Sequence, residues 1–172
     1  MDIVKVAGPQ DFRLDRLKGQ QVYFSPVTAE SQAGFDALWA NVLDGAAEMG
    51  ATVEVSGHTI RLPHTAGGHL RASFISLCGV ALGAQDYLAI AKRFHTVFIE
   101  NVPMLGADNR NEAARFVSLV DALYEAKAKV VVLAQAQPDD LYPKGDGAFE
   151  FERTASRLQE MRAADYLSQV RD

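Results

Sequence analysis

Apolar and polar positions follow two periods along the chain, and the change of period separates predicted strands from predicted helices. The run at 94–103 is apolar up to Glu100 and Asn101, which is typical of a buried central strand with a polar tip. A β-branched run at 129–134 predicts a strand of the same buried kind. Shorter, mostly alternating runs predict strands at 21–24, 52–55, 58–62 and 70–74.

Apolar residues at helical spacing predict four helices between and after these strands. The first starts after Thr28, which is a suitable N-cap, and the third is predicted to begin with a capping box formed by Asn109 and Glu112. The predicted helices end near Gly45 and cover about 84–94, 109–125 and 149–167.

The order of these elements predicts a mixed α/β fold. A small antiparallel β meander comes first, and a strand, helix and strand with short joins then form a right-handed parallel βαβ unit, followed by the C-terminal helix. We expect one domain over residues 1–172. Within it, 1–82 contributes the first helix and the antiparallel strands, and 83–172 the α/β part.

Composition limits the kinds of partner. Of the 172 residues, 48% are hydrophobic, which is enough for a sizeable core, and 22 acidic against 17 basic residues give a net charge of -5. This charge argues against nucleic acid as a partner. Cys78 is the only cysteine, so no intrachain disulfide can form. No secretory leader or membrane-spanning run is apparent, and we expect a cytoplasmic protein.

Polar residues that follow the two buried strands supply one candidate site. Glu100, Asn101 and Gln135 should emerge at the carboxyl edge of the sheet, where open α/β sheets bind ligands. A carboxylate there could hold magnesium beside a nucleotide, but the sequence has no Gly-Lys dipeptide and therefore no phosphate loop of the usual kind.

Two arginines on the last predicted helix are further candidates. Arg153 and Arg157 share a helix face and suit either intrahelical pairing with Glu150 and Glu160 or contact with a phosphate or a neighbouring subunit. A third chemistry, a metal-dependent hydrolase, would use His58 together with His64 and His69 from a predicted loop at 63–69.

Three long strings resemble the AFG-one-like ATPase family: DYLAIAKRFHTVFIENVP at 86–103, NEAARFVSLVDALYE at 111–125 and FEFERTASRLQEM at 149–161. The shorter string DFRL at 11–14 is also similar. The resemblance covers nearly the whole chain but only the C-terminal half of such a protein. It implies an AAA-related P-loop ATPase that acts in bacterial cell division or in protein quality control at the mitochondrial inner membrane.

The resemblance also implies how this chain takes part. The phosphate loop belongs to the N-terminal half, so the complete protein would use ATP and magnesium while this chain alone would bind neither. Expected partners are that ATPase half, division-ring or membrane-associated proteins and further copies of the chain, with peripheral attachment at the inner membrane. Arg153 and Arg157 match the family string, and Glu100 is the third candidate catalytic residue. The alternative is a stand-alone protein-binding module without nucleotide chemistry.

Overall fold

A computed structural model describes residues 17, 19–169 and 171, so the string at 11–14 lies outside the described residues. Six strands form one sheet within this part of the chain. They are β1 (Tyr23–Phe24), β2 (Met49–Val55), β3 (His58–Ala66), β4 (His69–Ser73), β5 (Thr96–Val102) and β6 (Lys129–Ala134). The helices are α1 (Ala29–Leu43), α2 (Phe74–Cys78), α3 (Ala84–Arg93), α4 (Arg110–Glu125), α5 (Ala148–Met161) and α6 (Ala164–Leu167). Two 3₁₀ turns lie at Ala107–Asn109 and Pro138–Asp140.

The strand order is β1-β6-β5-β4-β3-β2. Strands β1, β6, β5 and β4 run parallel, and β3 pairs antiparallel with both β4 and β2. The predicted mixed α/β class, the meander and the βαβ unit are therefore confirmed. The meander is not a separate layer, however, because β4 pairs along its whole length with β5 and joins both predicted parts in one sheet.

Strand β5 lies inside this sheet and separates two cores. Val97 and Ile99 point to the larger core under α2–α5, whereas Phe98 points to the smaller core under α1. All three side chains are fully buried, as the apolar run predicted. In the smaller core, Phe98 packs edge-on against Phe35 and Trp39 of α1, with ring centroids 5.4 and 5.0 Å away.

Two predictions about the meander were wrong. Phe74 begins a helix instead of ending a strand, because the Ser73 hydroxyl accepts a hydrogen bond from the Ser76 amide and caps α2. The predicted loop at 63–69 is mostly strand, and only residues 67–68 form the turn. That turn packs so tightly that a Cβ on Gly68 would lie 2.3 Å from the His95 ring.

Two predictions about helix ends were also wrong. Asn109 does not form a capping box with Glu112, because its side chain accepts from the Gly106 amide and donates to the Met104 carbonyl. The last helix breaks after Met161 into α5 and α6. The break allows Tyr166 and Leu167 of α6 to enter the two different cores.

None of the helices in the described part of the chain is both long and apolar enough to cross a bilayer.

Candidate functional site: two arginine–carboxylate clusters

Glu100 lies at an irregularity in β5. Ile99 pairs with Val132 and Val102 with Ala134, so three steps along β5 match only two along β6. The extra residue is a β-bulge, and Asn101 within it adopts a left-handed φ of 62°. The run of buried side chains ends here, since Glu100 is partly exposed and Asn101 exposed.

The carboxylate of Glu100 is held by Arg71 of β4. Arg71 pairs in register with Phe98 and therefore lies on the same sheet face as Glu100. Its Nε donates to Glu100 Oε2 at 3.2 Å and its Nη2 to Oε1 at 3.0 Å, while Nη2 also donates to Asp36 Oδ1 of α1 at 2.7 Å. The guanidinium lies 5.0 Å from the centre of the Phe35 ring. We call Asp36, Arg71 and Glu100 the Arg71 cluster.

The Arg71 cluster places one cation between two carboxylates. Burial opposes the charge of Arg71, but the hydrogen bonds to Glu100 and Asp36 outweigh it, and the pKa of Arg71 is raised. Both oxygens of Glu100 accept from this guanidinium. A magnesium ion at Glu100 would have to displace a bidentate arginine, so the geometry favours a structural role for this carboxylate.

Arg153 and Arg157 meet a single carboxylate on the opposite side of the sheet. Arg157 Nη1 donates to Asp121 Oδ1 of α4 at 2.5 Å, and Arg153 Nη2 donates to Asp121 Oδ2 at 3.4 Å. The predicted pairing with Glu150 and Glu160 was wrong, because α4 packs alongside α5 and supplies Asp121 instead. We call Asp121, Arg153 and Arg157 the Asp121 cluster.

The two arginines differ in solvent exposure and in the number of contacts that hold them. Arg157 is 22% exposed and lies 4.6 Å from the centre of the Tyr124 ring, whose hydroxyl donates to Glu160 at 2.9 Å. That hydrogen bond is the main cause of a raised pKa for Tyr124. Arg153 is 67% exposed, and its one ion pair with another described residue is the long contact to Asp121. Arg153 therefore presents a guanidinium to solvent, whereas Arg157 is fixed in place.

The structure does not bring the predicted site residues into one site. Glu100 lies on the α1 face, and Arg153 and Arg157 lie on the face covered by α4 and α5. Sequence reasoning missed Arg71 and Asp121. Arg71 sits at an outward position of the predicted strand 70–74, but only the unforeseen pairing of β4 with β5 places it beside Glu100.

The three candidate histidines also lie apart. His58 contacts Asp86 at 2.7 Å, His64 contacts Glu48 at 2.9 Å, and the buried His69 packs edge-on against His95. Among the described residues, no group of three or more histidine, cysteine or acidic side chains is arranged to hold a metal ion. The geometry thus gives the metal-dependent alternative no support.

Cys78 is a buried residue of α2. Burial is the main cause that raises the pKa of its thiol to about 12, and the thiolate needed for nucleophilic attack is therefore disfavoured at neutral pH.

Comparisons with known proteins place the chain in a family. A family model described as AFG1-like ATPase matches residues 1–170. The cell division protein ZapE of Escherichia coli K12 is 35% identical over 166 residues, which cover 96% of this chain and 44% of that protein. The lactation elevated protein 1 homolog B of Danio rerio is 33% identical over 161 residues, which cover 92% of this chain and 32% of that protein.

The chain thus spans less than half the length of these curated relatives. No solved structure matches it significantly. The family match over nearly every residue, together with the identity to ZapE, shows that the chain belongs to the AFG1-like ATPase family.

Proposed function

We propose that the chain is the C-terminal portion of an AFG1-like ATPase and completes that ATPase, or contacts its partners, without hydrolysing ATP alone. The carrying observation is the family match over residues 1–170 in a sequence that has no Gly-Lys dipeptide. A P-loop ATPase needs backbone amides and a lysine around the β and γ phosphates. In this proposal those groups come from the other part of the protein, and the whole protein serves in cell division, as the name of the E. coli relative indicates.

Within this proposal, the Asp121 cluster is the better candidate for contact with a phosphate. It carries two guanidinium groups and one carboxylate, and the Arg153 guanidinium is mostly exposed. Arg153 would reach a nucleotide bound by the rest of the assembly or anchor a neighbouring subunit, while Asp121 and Arg157 fix the base from which it projects.

Calorimetry of the 172-residue chain with ATP and magnesium tests the first part of the proposal. We expect no heat of binding, because the backbone cradle and lysine of a phosphate loop are missing. Micromolar affinity for Mg²⁺-ATP would contradict the claim that the chain depends on another portion.

The role of Arg153 is tested in the longer protein that the proposal requires. Arg153→Ala should lower ATP turnover by about 10-fold or more while the protein stays folded. Arg61→Ala is the matched control, because Arg61 is an exposed arginine on β3 and lies outside the cluster. Equal turnover of the two variants would remove the proposed phosphate role of Arg153.

A further inference from the structure

Phe149 is the most exposed large apolar side chain among the described residues. It lies in the first turn of α5 with 79% of its surface accessible, whereas Phe151, two positions later, is 2% exposed. A phenylalanine in water forgoes about 2 kcal/mol or more of burial free energy. A ring held out in this way beside concave surfaces is typical of a binding anchor.

Two clefts flank the start of α5. The first, about 550 Å³, has Phe149 itself in its wall and also includes Asp139, Tyr142, Pro143, Phe151 and Glu152. The second, about 320 Å³, runs between α4 and α5 and is lined by Ala113, Ala114, Val117, Tyr142, Gly147 and Glu150. We call Phe149 with these two clefts the Phe149 surface.

The loop that separates the clefts has a defined shape. The Tyr142 hydroxyl donates to the Asp146 carbonyl, and the Leu105 amide donates to the Leu141 carbonyl at 2.8 Å. Gly147 has a φ of 96°, and a Cβ there would lie 2.8 Å from the Tyr142 hydroxyl. The clefts are thus present before any partner arrives, which lowers the entropic cost of binding.

The rim of the Phe149 surface is acidic. Asp139 and Glu152 line the first cleft and Glu150 the second, and none of the three forms an ion pair with another described residue. The arginine at the second cleft, Arg110, is already paired with Asp146 at 2.8 Å. Charge complementarity therefore calls for a partner segment that carries lysine or arginine around an apolar contact.

We infer that the Phe149 surface binds a basic segment of the same protein's nucleotide-binding portion, with Phe149 as the apolar anchor. This inference rests on the proposed function. More than half of the E. coli relative lies outside the matched region, so that protein has a large further portion that could contact the region matched here. The site follows β6 in the chain and lies at the start of α5, the helix that also carries Arg153, so docking there would bring the two portions together near that arginine.

Photo-crosslinking in the longer protein tests the inference. Phe149→p-benzoylphenylalanine should cross-link, on irradiation of the purified protein, to an upstream segment that contains lysine or arginine. Met49→p-benzoylphenylalanine is the matched control, because Met49 is 67% exposed but lies on the edge strand β2. Cross-links from position 149 to an acidic upstream segment, to a second copy of the chain or to nothing would overturn the inference.

A substitution provides an independent measurement. Phe149→Ser should lower ATP turnover of the longer protein severalfold and leave the unfolding midpoint of the 172-residue chain unchanged, because the ring buries little in that chain. Equal turnover of Phe149→Ser and Met49→Ser would overturn the inference. Failure of the proposed function is a separate result, since it would appear as a reading frame that encodes no phosphate loop upstream of Met1.

Discussion

The two arginine–carboxylate clusters have opposite compositions. In the Arg71 cluster one guanidinium donates hydrogen bonds to two carboxylates, and the charges sum to -1. In the Asp121 cluster one carboxylate accepts hydrogen bonds from two guanidinium groups, and the charges sum to +1. Arg71 is 18% exposed and Glu100 20%, whereas Arg153 is 67% exposed.

This difference separates an arginine whose donors are used within the molecule from one that stays mostly exposed to solvent. The donors of Arg71 are used inside the molecule, and its partners come from α1 and β5, so the cluster ties a helix to the sheet. Arg153 keeps most of its donors for solvent or a ligand. Of the predicted site residues, Arg153 is therefore the one whose geometry suits a phosphate, and Glu100 the one whose geometry suits fold stability.

The largest expected effect is that of Arg71→Met on stability. The variant leaves two carboxylates facing each other without a cation and removes the contact with the Phe35 ring. We expect the free energy of unfolding to fall by about 2–3 kcal/mol, measured by denaturant titration. The double variant Arg71→Met with Glu100→Gln should recover part of this loss. A loss below about 0.5 kcal/mol for the single variant would mean that the Arg71 cluster contributes no more to stability than an exposed ion pair, and would contradict its structural role.

A smaller loss is expected for Arg157→Met. The substitution removes the 2.5 Å hydrogen bond to Asp121 and the contact with the Tyr124 ring, but it leaves one carboxylate with Arg153 still beside it instead of two carboxylates without a cation. We expect about 1 kcal/mol by the same titration. Asp121→Asn provides a comparison, since it keeps the shape of the side chain and removes its charge. A loss as large as that of Arg71→Met would show that both clusters are equally structural.

Arg153→Met should change stability least among the three arginines. Its hydrogen bond to Asp121 is 3.4 Å long and exposed, so we expect a change within about 0.5 kcal/mol. Thermal unfolding of this variant beside Arg157→Met measures the difference directly. A clear stability loss for Arg153→Met would mean that any effect on turnover reflects folding instead of phosphate contact.

A smaller, pH-dependent contribution to the free energy of unfolding should come from Glu48, a carboxylate that belongs to neither cluster. Hydrogen bonds from Trp39 at 2.6 Å and from His64 at 2.9 Å are the main causes that lower its pKa from the ordinary 4.5, and the charge of Arg71 adds least. A lowered pKa stabilises the fold above the unfolded value, and this stabilisation is lost as pH falls below 4.5.

Glu48→Gln should therefore flatten the acid side of the stability curve, whereas Phe149→Ser, an exposed variant that changes no ionisable group, should leave that pH dependence intact. Unfolding followed by Trp39 fluorescence at several pH values on either side of 4.5 measures both variants. An unchanged acid slope in Glu48→Gln would contradict the role of this carboxylate.

Much of the fold follows from local patterns. The buried run around Val97–Ile99, the β-branched β6 and the amphipathic α4 were predictable because each element buries one face or both faces in the core, and this requirement appears as a period in the sequence. Arg153 and Arg157 were placed together for the same reason, since residues four apart share a helix face.

The partners of the charged side chains were decided by the tertiary structure. Glu100 meets a residue 29 positions away, and Arg157 meets one 36 positions away. No local period encodes such pairs, because each depends on which strand or helix becomes the neighbour. By itself, the sequence determined most of the elements, their buried faces and the family, although it did not reveal helix α2 or the break after Met161. The pairing of β4 with β5 and the packing of α4 on α5 then decided that Glu100 is engaged and Arg153 exposed, since a carboxylate or guanidinium binds the opposite charge that packing brings within reach.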